Sequence, residues 1–171
     1  MTIIASQSIS GFLADLSSTS SSPGSGAAAA VTLSTAAALA RKALAITLKH
    51  DPENQRLVEA DRQLLGIVEA ALAGADEDSA LFADLIAMQQ AEPVQSGDVD
   101  LQARRLVELA ERLIGLGAEL TALVRSVSDD VSETMKNDVL AALALCESAT
   151  LILRANATEN ARLVGNSAHI G

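Results

Sequence analysis

Three groups of residues have the types and spacing to do chemistry. The first is Asp78. It falls within the series Leu64, Val68, Ala71, Ala75, Asp78, Phe82 and Leu85, whose steps alternate between four and three, as residues on one helix face do. A carboxylate on an apolar face is costly unless paired or functional, and desolvation raises its pKa toward the range useful for general acid–base work. The same pattern also allows Asp78 to sit solvated at the edge of the stripe. Asp76 and Glu77 beside it read as surface charges.

The second group is the cluster Pro23-Gly24-Ser25-Gly26, followed at once by Ala27-Ala28-Ala29-Ala30. Gly and Pro break regular structure and an Ala run promotes helix, so a Gly-rich loop opens a helix at about Ala27. Free backbone N–H groups at a helix start, with the helix dipole, attract a carboxylate or phosphate. A plain turn and helix start has the same composition. No Gly-Lys-Ser/Thr follows, so this is not a Walker loop. The third group is Asp138 with Asn156, and Asn160 one turn on. These polar residues could line a pocket and hydrogen-bond a heterocycle, or satisfy each other or a helix end.

The remaining reactive types are sparse. Cys146 is the only cysteine; it reads as a small core residue, and an internal disulfide is impossible, which fits a reducing cytoplasm. His50 and His169 are the only histidines, too few for a His/Cys zinc site, so no metal is expected. His50 ends a helix, where it suits the dipole.

The elements that must position these residues are all helices. Ile9 to Leu16 reads as a short amphipathic helix, and Ser17 to Ser22 as a polar loop. A long helix runs from about Ala27 to Leu48. Asp51-Pro52 starts the next, which continues to about Met88, with Gly74 a possible bend. Pro93 to Gly97 is a loop with Asp98 as a cap. The next helix carries Leu106, Leu109, Leu113, Leu116, Leu120, Leu123 and Val127, and Ser128 to Asp130 breaks it. The last helix carries Val131, Met135, Asp138, Ala142, Leu145, Ala149, Ile152 and Asn156. The tail, 165–171, frays. No strand-like alternation and no repeat is evident, so the expectation is an all-α, single-domain bundle of about five helices spanning 1–171, with a Ser/Gly-rich loop over 17–26.

Composition narrows the function further. Of the 171 residues, 49% are hydrophobic, with no Trp or Tyr and two Phe. A core of small aliphatic side chains favours closely packed helices, and Ala-rich faces suit packing against a second copy, hence an expected homodimer. The net charge of −10 and the lack of a basic patch or stacking aromatics exclude nucleic acid as a partner. Leu16 to Ala40 carries no charge, but Ala, Ser and Thr fall short of the ~20 strongly apolar residues a spanning helix needs, so no membrane is expected.

These elements together resemble a known family. Phe12-Leu13 with Leu16 is similar to its opening helix. Pro23-Gly24-Ser25-Gly26-Ala27-Ala28-Ala29 resembles its Pro-Gly-Gly-Gly-Ser-Ala-Ala loop. Asp76-Glu77-Asp78-Ser79-Ala80-Leu81-Phe82 looks like its Asp-x-Asp-x-x-Ala-Phe segment, displaced at the Ala. Asn137-Asp138, then Asn156 and Asn160, resemble its Ser-Asp followed by Asn-Val-x-x-Asn. The family is the cyclodeaminase domain of formiminotransferase-cyclodeaminase, with the bacterial methenyltetrahydrofolate cyclohydrolases.

The resemblance implies an all-helical homodimer that takes a reduced folate or related pterin as substrate, with no covalently bound cofactor. It implies ammonia loss from 5-formimino- or water addition to 5,10-methenyltetrahydrofolate. By the same resemblance Asp78 is the general acid–base residue, and Pro23, Gly24, Ser25, Gly26 and Ala27 contact the ligand. Asp138, Asn156 and Asn160 shape the pocket. Three stretches depart from the family pattern, one of them Arg112-Leu113-Ile114 in place of its Val-Pro-Leu. Ser25 and Ala27 replace a Gly and a Ser of its loop. Leu48-Lys49-His50-Asp51-Pro52 stands where the family has a Gly-Lys-Lys-x-Tyr-like stretch, leaving Lys49 as the cation for the ligand. The alternatives are a non-catalytic relative that binds a folate, pterin or partner, and a plain helical interaction protein.

Overall fold

In the computed structural model, which describes residues 3–91 and 96–164, the described residues are helical with no strand. A short 3-10 turn, Ile4–Ser6, leads into α1 (Ile9–Leu16), α2 (Ser25–Leu48), α3 (Gln55–Gln90) and α4 (Ser96–Val127). A second 3-10 turn, Glu133–Met135, leads into α5 (Lys136–Leu163).

The four long helices form a closed ring. α2 packs on α3 and α5, and α4 packs on α3 and α5 from the other side. Short connections make successive helices antiparallel. Side-chain pairs show the register between α2 and α3: Arg41 meets Asp61 at 2.9 Å and Ser34 Oγ donates to Val68 O at 3.1 Å. Between α2 and α5, Lys42 meets Asp138 at 3.2 Å and Ser25 Oγ donates to Asn156 Oδ1 at 3.1 Å. In both cases the partners run in opposite order along the chain, so the start of α2 lies level with the late turns of α3 and α5.

The core is what the composition requires. Ala29, Ala30, Ala36, Ala37, Ala40 and Ala43 bury α2 against its neighbours, with Leu33 and Leu44 filling the wider gaps. By length and apolarity α2 is also the described helix able to cross a bilayer, yet half of that apolar stretch is buried within the bundle. Small residues set the spacing elsewhere too. Leu113 of α4 packs directly over Gly74, and Thr150 of α5 over Gly117. Cys146 is a buried free thiol whose Sγ donates to Gly117 O at 3.2 Å across the α4–α5 seam.

Several sequence expectations shift. α2 begins at Ser25, two residues before Ala27. α3 begins at Gln55, because the Asn54 side chain accepts the Leu57 N–H at 3.3 Å and caps the helix; Pro52 lies in the turn before it. Gly74 is a packing position and α3 continues through it. α4 begins at Ser96, which places Asp98 inside its first turn, where the helix dipole favours an acid. Of the expected Pro93–Gly97 loop, residues 92–95 lie outside the described residues, as does the 165–171 tail. On α5, Leu153 is buried and Ile152 exposed: the buried series there runs Val139, Ala142, Cys146, Ala149 and Leu153.

This packing predicts a sharp contrast. Leu33→Ala leaves a cavity under α2 and should cost about 2–5 kcal/mol. Leu101→Ala, on an exposed face of α4, should cost less than about 0.5 kcal/mol in the same chain. Urea denaturation of both variants checks it.

Candidate functional site

Asp78 sits on α3 opposite the first turn of α2. That turn has no capping side chain of its own: the residue before it is Gly24, and no acid lies in the first turn. A helix start leaves four N–H groups without partners in the helix. Asp78 supplies an acceptor, taking a hydrogen bond from the backbone N–H of Ala27. Gly26 makes the approach possible, since a Cβ at that position would overlap the Asp78 carboxylate. The Gly-rich sequence therefore serves a contact between two helices, 52 positions apart in the chain at Gly26 and Asp78.

The carboxylate borders a pocket of about 230 Å³ lined by Gly24, Ser25, Gly26, Asp78, Phe82, Leu106, Asn156, Glu159 and Asn160. Burial pushes the Asp78 carboxyl up to about 6, against the downward pull of the Ala27 hydrogen bond. A group with that pKa exists in both forms near neutrality, so it can accept and return a proton. Asn156 orients toward Ser25 through the 3.1 Å hydrogen bond, and Asn160 continues the same face one turn on. Phe82 and Leu106 give the pocket an apolar wall.

The neighbours of Asp78 are held separately. Asp76 Oδ1 accepts from Ile4 N at 2.6 Å. Glu77 pairs with Arg112 of α4 at 2.6 Å. The backbone carbonyl of Ser79 accepts from Ser22 Oγ at 2.9 Å. This stretch of α3 is thus tied to the N-terminal segment, to α4 and to the loop preceding α2.

Of the residues expected from sequence, Gly24, Ser25, Gly26, Asp78, Asn156 and Asn160 converge on the pocket. Ala27 is buried and contributes its N–H. Pro23 lines a neighbouring cavity. Asp138 and Lys49 do not join them. Asp138 lies in the first turn of α5, roughly 27 Å from Asn156 at 1.5 Å per residue, where it pairs with Lys42. Lys49 follows the last turn of α2, roughly 35 Å from Gly26 on the same measure.

Sequence reasoning missed Glu159 and treated Leu106 as core alone. Glu159 pairs with Arg162 at 2.7 Å. The available signal was its position, one turn beyond Asn156 and adjacent to Asn160. Among the described residues no cluster of three or more His, Cys, Asp or Glu could hold a metal ion.

Residues 8–170 match the family model described as formiminotransferase-cyclodeaminase. No curated protein matches the chain in sequence. Among solved structures, the chain is similar to formiminotetrahydrofolate cyclodeaminase from Thermotoga maritima. The TM-score is 0.80 at 17% identity, covering 96% of this chain and 83% of that one. At that identity the likeness is one of fold.

The raised Asp78 pKa has a stability consequence. The native state holds this proton more tightly than an unfolded chain with the ordinary value of 3.8. Stability therefore falls as pH rises from about 4 to about 6, and levels off above. Asp78→Asn carries no charge and escapes that loss. It should match the parent at pH 4 and exceed it by roughly 1–3 kcal/mol above pH 7. Urea denaturation across pH 4–8 checks this; a difference that does not vary with pH contradicts it.

Proposed function

The chain belongs to the formiminotransferase-cyclodeaminase family, and from that premise we propose that it is a one-carbon folate enzyme of the cyclodeaminase or cyclohydrolase type, with Asp78 as its proton shuttle. The observation that carries the reading is the half-buried carboxyl of Asp78, pushed up to about 6, in a pocket walled by Phe82 and edged by two asparagines. The pocket, about 230 Å³, is below the ~300–1,000 Å³ of sites that enclose a whole drug-sized ligand. It suits the ring system of a folate, with the rest of the molecule outside. Asn156 and Asn160 offer paired donors and acceptors to a pterin edge, and Phe82 offers an apolar face.

Both reactions need one group that takes a proton and then gives one. In the deaminase direction N10 attacks the formimino carbon. The formimino group enters as its protonated amidinium, so the attack leaves an NH2 on the carbon. Asp78 takes the N10 proton and returns it to that NH2 as the C–N bond breaks. Ammonia departs and the positive charge stays on the methenyl bridge. In the hydrolase direction a water adds to the methenyl carbon. Asp78 takes one of its protons and passes it to the ring nitrogen as that C–N bond opens, and the remaining hydroxyl proton leaves to solvent as the formyl C=O forms. The second reading, a relative that binds folate or a partner without turnover, draws on the loop substitutions and on the distance of Lys49 from the pocket.

The test is turnover of 5-formimino- and 5,10-methenyltetrahydrofolate, followed by near-ultraviolet absorbance against Asp78→Asn. General acid–base loss predicts a fall of about 10²–10⁴-fold in the variant. Binding of either folate by calorimetry with no turnover of either establishes the second reading.

A homodimer is part of the proposal. A cleft of about 800 Å³ runs between α4 and α5, and Leu140 and Leu151 stand 64% and 69% exposed along it. Arg125, Arg154 and Glu147 edge the same cleft, charges that can pair across a two-fold axis. Sedimentation at micromolar concentration should give twice the chain mass, and Leu140→Asp with Leu151→Asp should halve it. A cytoplasmic setting fits the lone buried thiol of Cys146.

A further inference from the structure

One residue along from the Asp78 pocket, at Pro23 on the loop and Ser79 on α3, lies a second cavity of about 250 Å³. Gln7, Asp15, Ser18, Ser20, Ser22 and Ser79 line it, and neither Lys nor Arg does. Ser79 is 3% exposed, yet its Oγ has no hydrogen-bond partner within the protein. The same holds for buried Gln7 Oε1. The orientation of that amide is fixed, because Gln7 Nε2 donates to Asp15 Oδ2 at 2.7 Å and a carboxylate only accepts. Ser22 Oγ spends its proton on Ser79 O at 2.9 Å, and Ser18 Oγ accepts from Ser20 N at 3.2 Å. What remains is a set of oxygen atoms with lone pairs and one negative charge. Leaving buried acceptors without a donor or cation is unfavourable.

We propose that this cavity binds a small monovalent cation of the potassium and ammonium class, held by the Asp15 carboxylate, Gln7 Oε1 and the serine hydroxyl oxygens. An anion is disfavoured because no cationic side chain lines the cavity. A divalent ion is disfavoured because such ions take several carboxylates or a rigid octahedral shell, and Asp15 is the one acid lining the cavity. The bound ion would fasten together the N-terminal segment, the serine loop and α3, just ahead of the first turn of α2. The inference stands on this cavity alone and does not depend on folate chemistry.

The test is thermal unfolding of the full chain by circular dichroism, at one ionic strength made up with potassium, ammonium or tetramethylammonium chloride. The midpoint should rise saturably in potassium or ammonium, by about 4 °C at ten times the half-saturating concentration. It should stay level in tetramethylammonium, which is too bulky and has no N–H. The lower half-saturating concentration identifies the preferred ion. Ser79→Ala and Asp15→Asn should each abolish the rise; Asp15 is an exposed residue of α1, so its variant carries the test if Ser79→Ala does not fold. Equal midpoints in all three salts, an unaltered rise in Asp15→Asn, or a Ser79→Ala chain that is more stable by the same amount in every salt would each overturn the proposal.

Discussion

The contact on which the site depends is between the Asp78 carboxylate and the uncapped start of α2. It is a conflict held in balance. The N–H of Ala27 and the positive end of the helix favour the charged carboxylate, while the surrounding apolar wall favours the neutral one. Burial prevails, and the group is left near 6. If the helix start were capped by its own side chain, this N–H would be taken and the balance would be lost. Gly24 at the cap position and Gly26 beneath the carboxylate are therefore two halves of one arrangement: the first leaves the N–H groups unclaimed, the second lets a distant residue reach them.

Antiparallel registry does the rest. Because α2 runs against both α3 and α5, its first turn meets the late turns of each, and residues from three separate stretches of sequence arrive at one end of the bundle. Leu106 of α4 closes the fourth side. The opposite end of the ring carries Lys49, and Asp138 sits on the first turn of α5, far from Asn156. A motif read linearly along α5 places Asp138 and Asn156 on one face, which is true, yet a face of a long helix spans most of the molecule. Shared periodicity reports direction around a helix and says nothing of distance along it.

Periodicity and composition made the fold legible. The Leu series of α4 and the Ala run of α2 fall where their spacing requires. Errors gathered at element ends, where side chains compete for the same backbone groups: Asn54 outcompetes Asp51-Pro52 as the start of α3, and α4 opens before Asp98. The site was legible where its residues had an anomalous type for their position, such as an acid within an apolar stripe or glycines before an Ala run. Glu159 carried no such anomaly, because an acid on the outer face of a helix is ordinary until the opposing helix is in place. Ser79 and Gln7 were equally silent: a serine or glutamine becomes notable only once its buried oxygen is found without a donor.

The seam between α4 and α5 holds the molecule's single sulfhydryl, turned inward on the carbonyl of Gly117. A thiol so placed is shielded from electrophiles. It can react only when the two helices part. The chain thus carries a built-in clock: the rate at which an alkylating reagent consumes that one sulfur counts how often this half of the bundle opens, in a protein with no tryptophan or tyrosine to report the event by its own fluorescence.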